Sequence, residues 1–388
     1  MFDQRNRKQS IVTRVAQALH FVEAETGAVI PSIQPSATYA RDDNYKIRKP
    51  YWYRRDGSQT TAHAEAIIAE LENAESSLLF SSGMSACTAV IEHLPTQAHV
   101  VVPKVMYHGV LQQIQKYESN KRIVVSSYQA GNLEELTAVV RMGQTQLVWV
   151  ETPNNPNWEV TDITAAAEIA HATGAKLFAD CTGTPPCITK ALDLGADISF
   201  HSATKYLNGH SDITAGVLSV KKIDQFWEDI LLVRKLQGTV LHSQDAWLLI
   251  RGMRTLFLRV EKSCQNAMAI AKHFEGHKYI KAVLYPGLPS DPGHEISKRQ
   301  TGGQYGGMMS LIIKGTEQDA VDVARFCKLF YPATSLGGVE SLIEHRKTVS
   351  GEGFPVHPGL LRLSIGIEDP DDLIYDIEQS LSQTFGDA

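Results

Sequence analysis

The feature that most constrains this chain is a series of short, β-branched and nearly continuous apolar runs with helical patterns between them. The runs are HVVVPKV (99–105), RIVVSSY (122–128), QLVWVETP (146–153), KLFADCT (176–182), ADISFHS (196–202) and GVLSV (216–220). Runs of this kind suit strands covered on both faces. GVLQQIQKYE, GNLEELTAVVRM and TDITAAAEIAHATG separate several of them, the last with Thr161 and Asp162 as caps and Gly174 at its close. Strand, helix, strand in succession predicts an α/β fold with a mainly parallel sheet and helices on both faces. Ligands then bind at the carboxyl ends of the strands. Residues 1–58 are polar and poorly periodic and read as an arm, 59–245 as the large domain, and 246–388 as a smaller C-terminal α+β domain entered through one long helical stretch from about residue 245. The Gly- and Pro-rich segments 285–307 and 349–359 read as loops.

Composition narrows the function. A formal net charge of −6 without a Lys/Arg block argues against nucleic acid. No apolar run is long enough to span a bilayer, and MFDQRNRKQS lacks the apolar centre of a secretion signal, so the expected location is cytoplasmic. Five cysteines without a C-x-x-C pair suggest reduced thiols, and the scattered histidines suggest no metal site. G-x-G-x-x-G and G-x-x-x-x-G-K-[ST] are both absent, which weakens nicotinamide and P-loop readings.

Two strand ends carry chemistry. KLFAD finishes on Asp180, and ADISF leads into His201-Ser202-Ala203-Thr204-Lys205. Alone, each is ordinary: an acid at a strand end is commonly a turn-former, and a lone lysine is commonly solvated. Together they bring a carboxylate, an amine and two hydroxyls to one rim. That set suits a phosphorylated aldehyde cofactor: the amine bonds the aldehyde, the acid keeps a ring nitrogen protonated, and the hydroxyls accompany the phosphate. In LLFSSGMSACTAVIEHL (78–94) a strand meets a helix start near Met84, and Gly83 permits close backbone approach to an anion. Arg362 interrupts the apolar strand GLLRLSIGIED, either in a buried salt bridge or as a clamp on a substrate carboxylate.

HSATKYLNGHSDITAG, SSGMSA, ETPNNP and SLGGVESLIEH…LLRLSIGIEDPDDLI resemble the pyridoxal-phosphate enzymes of the cystathionine γ-synthase family, the Cys/Met-metabolism transsulfuration group, from about residue 28 to 383. The resemblance implies fold type I, aspartate-aminotransferase-like, and pyridoxal 5'-phosphate as cofactor. It implies Lys205 as the cofactor-bonding and catalytic lysine, Asp180 on the pyridine nitrogen, and Tyr107 stacked on the ring and aiding proton transfer near the leaving group. Gly83, Met84, Ser202 and Thr204 match the phosphate cup. Tyr53 and Arg55 match the pair that reaches the neighbouring subunit's phosphate, which implies a homodimer as the active unit and a homotetramer overall. Arg362, Asn155 and Ser335 match residues that hold the amino-acid substrate.

Departures from the family pattern bear on the reaction. Thr334 stands where members acting on cystathionine by γ-chemistry carry a glutamate, and Tyr107-His108-Gly109 differs from the Y-G-C of methionine γ-lyases. The family's D-N-T-F reads Asp180-Cys181-Thr182-Gly183, and EHRKTVSGEG replaces E-H-P-x-x-x-T-H. The expectation is γ-elimination or γ-replacement on a γ-substituted L-amino acid that is homoserine-ester-like, cystathionine-like or canavanine-like. Glu352 of the altered loop would meet a distal cation such as a guanidinooxy group; its plain alternative is a solvated acid. A β-lyase is the alternative within the family, and a catalytically silent regulator of the same fold is the alternative outside it.

Overall fold

The computed structural model describes residues 9–48, 50–350 and 355–386. A seven-stranded sheet is built from β1 (Ser76–Phe80), β2 (Ala98–Pro103), β3 (Ile123–Tyr128), β4 (Thr145–Glu151), β5 (Lys176–Asp180), β6 (Ile198–His201) and β7 (Gly216–Val220), in the order β1-β7-β6-β5-β4-β2-β3. Each pair from β6 to β3 is parallel, and β7 is antiparallel to both β6 and β1. The GVLSV run therefore departs from the parallel pattern read for it. Residues 202–215 hold turns and no crossover helix, and without a crossover a strand can only return antiparallel. Because β1 and β6 both oppose β7, their carboxyl ends share a rim with those of β4 and β5.

Side chains alternate across this sheet. Leu177 and Ala179 pack under the helix Ile163–Ala172, whereas Phe178 faces the helices Gly83–His93 and His108–Ser119. On that second face Trp149 stacks on Phe178 at 3.8 Å between centroids, and Phe178 on Phe200 at 5.5 Å. Two residues beyond Phe178 on the same face comes Asp180, so the acid stands on an aromatic floor.

A second sheet comprises β8 (Ile280–Leu284), β9 (Met308–Ile313), β10 (Tyr331–Pro332), β11 (Leu342–His345) and β12 (Leu360–Ser364), ordered β10-β11-β12-β9-β8. Leu311, Leu361 and Leu363 pack with Ile270, Phe274, Val323 and Ile377 from the helices Leu256–Phe274, Glu317–Phe326 and Pro370–Phe385.

Two other expectations are corrected. The long stretch after residue 245 is two helices, Ser243–Met253 and Leu256–Phe274. The break is made by packing: a Cβ on Gly252 would overlap the Asn208 carbonyl, and the Arg259 guanidinium donates to the carbonyls of Gly252 (2.8 Å) and Tyr206 (2.9 Å). A cation thus closes the first helix at its negative end. The segment 285–307 holds a helix, His294–Thr301, stopped by Gly302 at φ +63°. Among the described residues, no helix is long and apolar enough to cross a membrane.

Candidate active site

A cavity of about 390 Å³ opens at the shared rim of the large sheet and reaches the second sheet; ligand pockets typically span about 300–1,000 Å³. Gly83, Met84, Ser202 and Thr204 line one end, Tyr107, Asn155, Asp180 and Lys205 the middle, and Ser335 and Arg362 the side of the second sheet. Tyr53 and Arg55 are exposed and lie outside this lining, with the Arg55 guanidinium 5.1 Å from the Tyr53 ring centroid.

At the cup, Ser82 caps the helix Gly83–His93 by accepting from the Ser85 N–H at 3.1 Å. The N–H groups of Gly83 and Met84 belong to the first turn and have no carbonyl within the helix to donate to. A Cβ on Gly83 would come within 3.1 Å of Ser202 Oγ, so glycine lets the hydroxyl and the helix end converge. Thr204 Oγ1 accepts from the Ala215 N–H (2.9 Å) and donates to the Ala215 carbonyl (3.2 Å), which leaves Ser202 the freer hydroxyl. Gly216, at the amino end of β7, is paired with Phe80, and a Cβ there would overlap the Ser82 carbonyl. Gly216→Ala is therefore expected to push the helix start out of place, costing about 1–3 kcal/mol. Cofactor affinity measured by equilibrium dialysis should fall at least fivefold while the circular dichroism spectrum stays folded.

Lys205 follows β6 and donates from Nζ to Ser335 Oγ at 2.7 Å. Burial, and then the Arg362 guanidinium, bring its ammonium down to about 8. Ser335 has φ +97°, a conformation that side chains with a Cβ rarely adopt. It is held there because its carbonyl accepts from Arg362 Nη2 at 2.9 Å while Gly337 N–H donates to Ser364 Oγ at 2.9 Å. Arg362 itself is 5% exposed and pairs with Glu344 Oε2 at 2.8 Å across β11 and β12. Of the two alternatives read from sequence, the buried salt bridge is present, and it leaves Arg362 Nε buried without a partner.

Asp180 accepts from the Thr182 N–H at 2.9 Å, and burial raises its pKa. Its neighbour across the β4–β5 ladder is Glu151, buried and raised by desolvation and by Asp180. Glu151 accepts from the N–H of Tyr107 (2.7 Å) and of Asn155 (2.8 Å), fixing two walls of the cavity at once. Asn155 Oδ1 is buried without a partner.

The sequence profile of Cys/Met metabolism PLP-dependent enzymes matches residues 13–382. The chain belongs to this family. Within it, the chain is 38% identical over 381 residues to a cystathionine gamma-lyase of Dictyostelium discoideum, covering 96% of this chain and 98% of that one. It is 36% identical over 384 residues to a cystathionine beta-lyase of Coxiella burnetii, covering 97% and 99%. A crystal structure of cystathionine gamma synthase from Xanthomonas oryzae pv. oryzae in complex with cystathionine superposes with a TM-score of 0.94 at 31% identity, covering 98% and 100%. The fold is thus that of fold-type I pyridoxal-phosphate enzymes, and the cofactor of this Cys/Met metabolism family is pyridoxal 5'-phosphate.

The residues present fit that group. Glu151 and Asp180 stand side by side with their charged forms disfavoured by burial, and a protonated ring nitrogen beside Asp180 would supply the positive charge that favours its carboxylate. The open helix end with Ser202 suits a phosphate, and Asn155 Oδ1 awaits a donor. Lys205 has the lowered pKa of an amine that bonds an aldehyde. Only the neutral amine attacks, so cofactor uptake by the cofactor-free protein should speed up with pH to about 8 and then level off. Stopped-flow absorbance checks this; a rate still climbing between pH 9 and 10 would mean an ordinary lysine.

The site also holds residues that sequence reasoning did not single out. Glu344 bridges two cations, taking Arg362 at 2.8 Å and Arg346 Nη1 at 3.0 Å on the same oxygen. Arg346 is 1% exposed and lines the cavity, and its Nη2 donates to His108 Nδ1 at 3.0 Å. The signal was present in SLIEHR, where an acid ends a short apolar run and a cation follows two residues later. Glu352, with Gly351 and Gly353, lies outside the described residues.

Proposed function

We propose that this chain removes or replaces the γ substituent of an L-amino acid, with Lys205 as the base and Arg362 as the anchor of the α-carboxylate. The observation that carries the reading is the double attachment at Ser335: its hydroxyl accepts from Lys205 at 2.7 Å and its carbonyl from Arg362 at 2.9 Å. The group that takes the Cα proton and the group that orients the substrate are thereby fixed to one residue. When bound, pyridoxal 5'-phosphate supplies the aldehyde that captures the substrate amine and a ring that draws charge away from Cα. Arg362 meets the carboxylate through charge-assisted hydrogen bonds. Lys205, with a pKa of about 8, takes the Cα proton near neutral pH, gives it up, and then takes a proton from Cβ, whose electron pair expels the γ substituent. Tyr107, 40% exposed at the cavity, faces the leaving group and aids proton transfer there.

Several features support γ- over β-chemistry. The cavity continues beyond Tyr107 to His108, Arg346 and Val349, giving room for a longer substituent. Thr334, exposed at this end, offers a hydroxyl and no carboxylate, which favours a substituent other than the amino-acid arm of cystathionine. Homoserine esters and guanidinooxy amino acids such as canavanine meet that description. The cystathionine beta-lyase of Coxiella burnetii, 36% identical, keeps β-elimination as the second reading. The proposal takes residues 1–58 as an arm that brings Tyr53 and Arg55 to a neighbouring subunit's phosphate, in a homodimer that pairs into a tetramer. It also takes 59–245 and 246–388 as the two domains, and the cytoplasm as the location.

The test is mass spectrometry of products from cystathionine, O-succinylhomoserine, O-acetylhomoserine, methionine and canavanine, each with and without cysteine. A four-carbon product from at least one of them, or a new thioether in the presence of cysteine, is the expected result. Pyruvate from cystathionine with no γ-product from any probe would replace this reading with β-elimination.

A further inference from the structure

The geometry points to His108 as a fixed hydrogen-bond donor to the leaving atom of the γ substituent, with Arg346 as the residue that sets its tautomer. The inference rests on the γ-reading above. His108 opens the helix His108–Ser119 directly after Tyr107, is half-buried, and lines the cavity; its ring centroid lies 4.9 Å from that of Tyr107. Arg346 Nη2 donates to His108 Nδ1 at 3.0 Å. A guanidinium has only donors, so Nδ1 must be the acceptor and the ring proton must sit on Nε2. No described residue accepts from Nε2.

Arg346 cannot easily be displaced from this role. It is 1% exposed, and its Nη1 is tied at 3.0 Å to Glu344, which is tied in turn to Arg362. A rigid line of contacts therefore runs from the carboxylate anchor, through Glu344 and Arg346, to the imidazole beside Tyr107. Desolvation first, and then the Arg346 charge, lower the His108 pKa, so the ring stays a neutral donor. A neutral imidazole does not surrender its second proton; it donates a hydrogen bond while the bond from Cγ to the substituent breaks and the electron pair leaves with the substituent. The proton that the departing group acquires comes from Lys205 or solvent, and His108 ends as it began.

This arrangement selects by leaving atom. Oxygen accepts hydrogen bonds well, whereas a thioether sulfur is a weak acceptor. The site should therefore favour oxygen-linked γ substituents, and the favour should reside in His108.

Holoenzyme variants test this with O-acetyl-L-homoserine as the oxygen-linked probe, L-cystathionine as the sulfur-linked one, and Cα-proton exchange in D₂O as the readout of the step before departure. His108→Phe should lower kcat for O-acetylhomoserine about ten- to a hundredfold, the range of a lost donor to developing negative charge. The fall for cystathionine should be several times smaller, and the loss should appear in elimination and not in exchange. His108→Gln, whose amide N–H reaches the place of Nε2, should recover part of the difference. Arg346→Met should show the same oxygen-over-sulfur pattern in milder form, because the tautomer is no longer held. Equal loss for both probes, or loss of exchange in parallel with elimination, would reduce the pair to a structural role and overturn the inference. If wild-type enzyme gives no four-carbon product from these two or from any other γ-substituted probe while still exchanging Cα protons, the γ-reading fails and takes this inference with it.

Discussion

Replacing Lys205 by alanine should lower turnover by at least about a thousandfold, because in the proposed mechanism one side chain both bonds the cofactor and carries protons at two substrate carbons; general acid–base action alone is worth roughly 10²–10⁴. The loss should be specific. Among the described residues Lys205 makes a single side-chain hydrogen bond, to Ser335, and its charged form is disfavoured by burial, so its removal leaves no stranded charge. The variant should fold, bind pyridoxal 5'-phosphate without a covalent link, and release it on dialysis. Borohydride treatment followed by peptide mass spectrometry checks the attachment: wild type should carry the label on Lys205. A label on another lysine, with turnover in the alanine variant within tenfold of wild type, would contradict the assignment.

The second large effect belongs to Arg362. Its guanidinium is 5% exposed, pairs with Glu344 and holds the Ser335 carbonyl. Arg362→Ala removes the proposed partner of the substrate carboxylate, and truncating one side of a buried charge pair costs about 2–5 kcal/mol. That corresponds to a fall in kcat/KM of about 30-fold to several thousandfold, expressed mainly in KM. Glu344 keeps Arg346 as a partner, so the stability cost should be smaller than for an acid left wholly unpaired. Arg362→Lys keeps the charge without the planar fork and should recover only part of the loss. Steady-state kinetics with thermal melts of both variants separates the two contributions; equal melting shifts with unchanged KM would mean that Arg362 is structural alone.

Asp180 and Lys205 were legible in the sequence because each follows an apolar strand run that fixes where it emerges on the sheet. Arg362 was legible because a guanidinium inside LLRLS breaks an apolar pattern. What escaped depends on contacts between distant residues. Glu151 ends β4 and was not singled out within QLVWVETP; its work, holding the N–H groups of Tyr107 and Asn155, exists only after folding. His108 and Arg346 meet across 238 positions, so the departures at MYHG and EHRK looked separate although they form one contact. The break between Met253 and Leu256 escaped for a similar reason: Gly252 and Thr255 are weak helix formers that a long helix can tolerate, and the stop is imposed by Asn208 and Arg259. Periodicity reports which face a residue takes; it carries no information about which carbonyl a buried arginine will find.

The central claim is bond breaking at Cγ through Lys205, and its most direct measurement is elimination run in D₂O with mass spectrometry of the product acid. Lys205 moves protons at Cα and at Cβ in the proposed sequence. The account therefore predicts a four-carbon product, 2-oxobutyrate or homoserine, that carries deuterium at the carbon derived from Cβ. A three-carbon product, pyruvate, from substrates with departing groups at Cβ, and no four-carbon product from any γ-substituted probe, would contradict it.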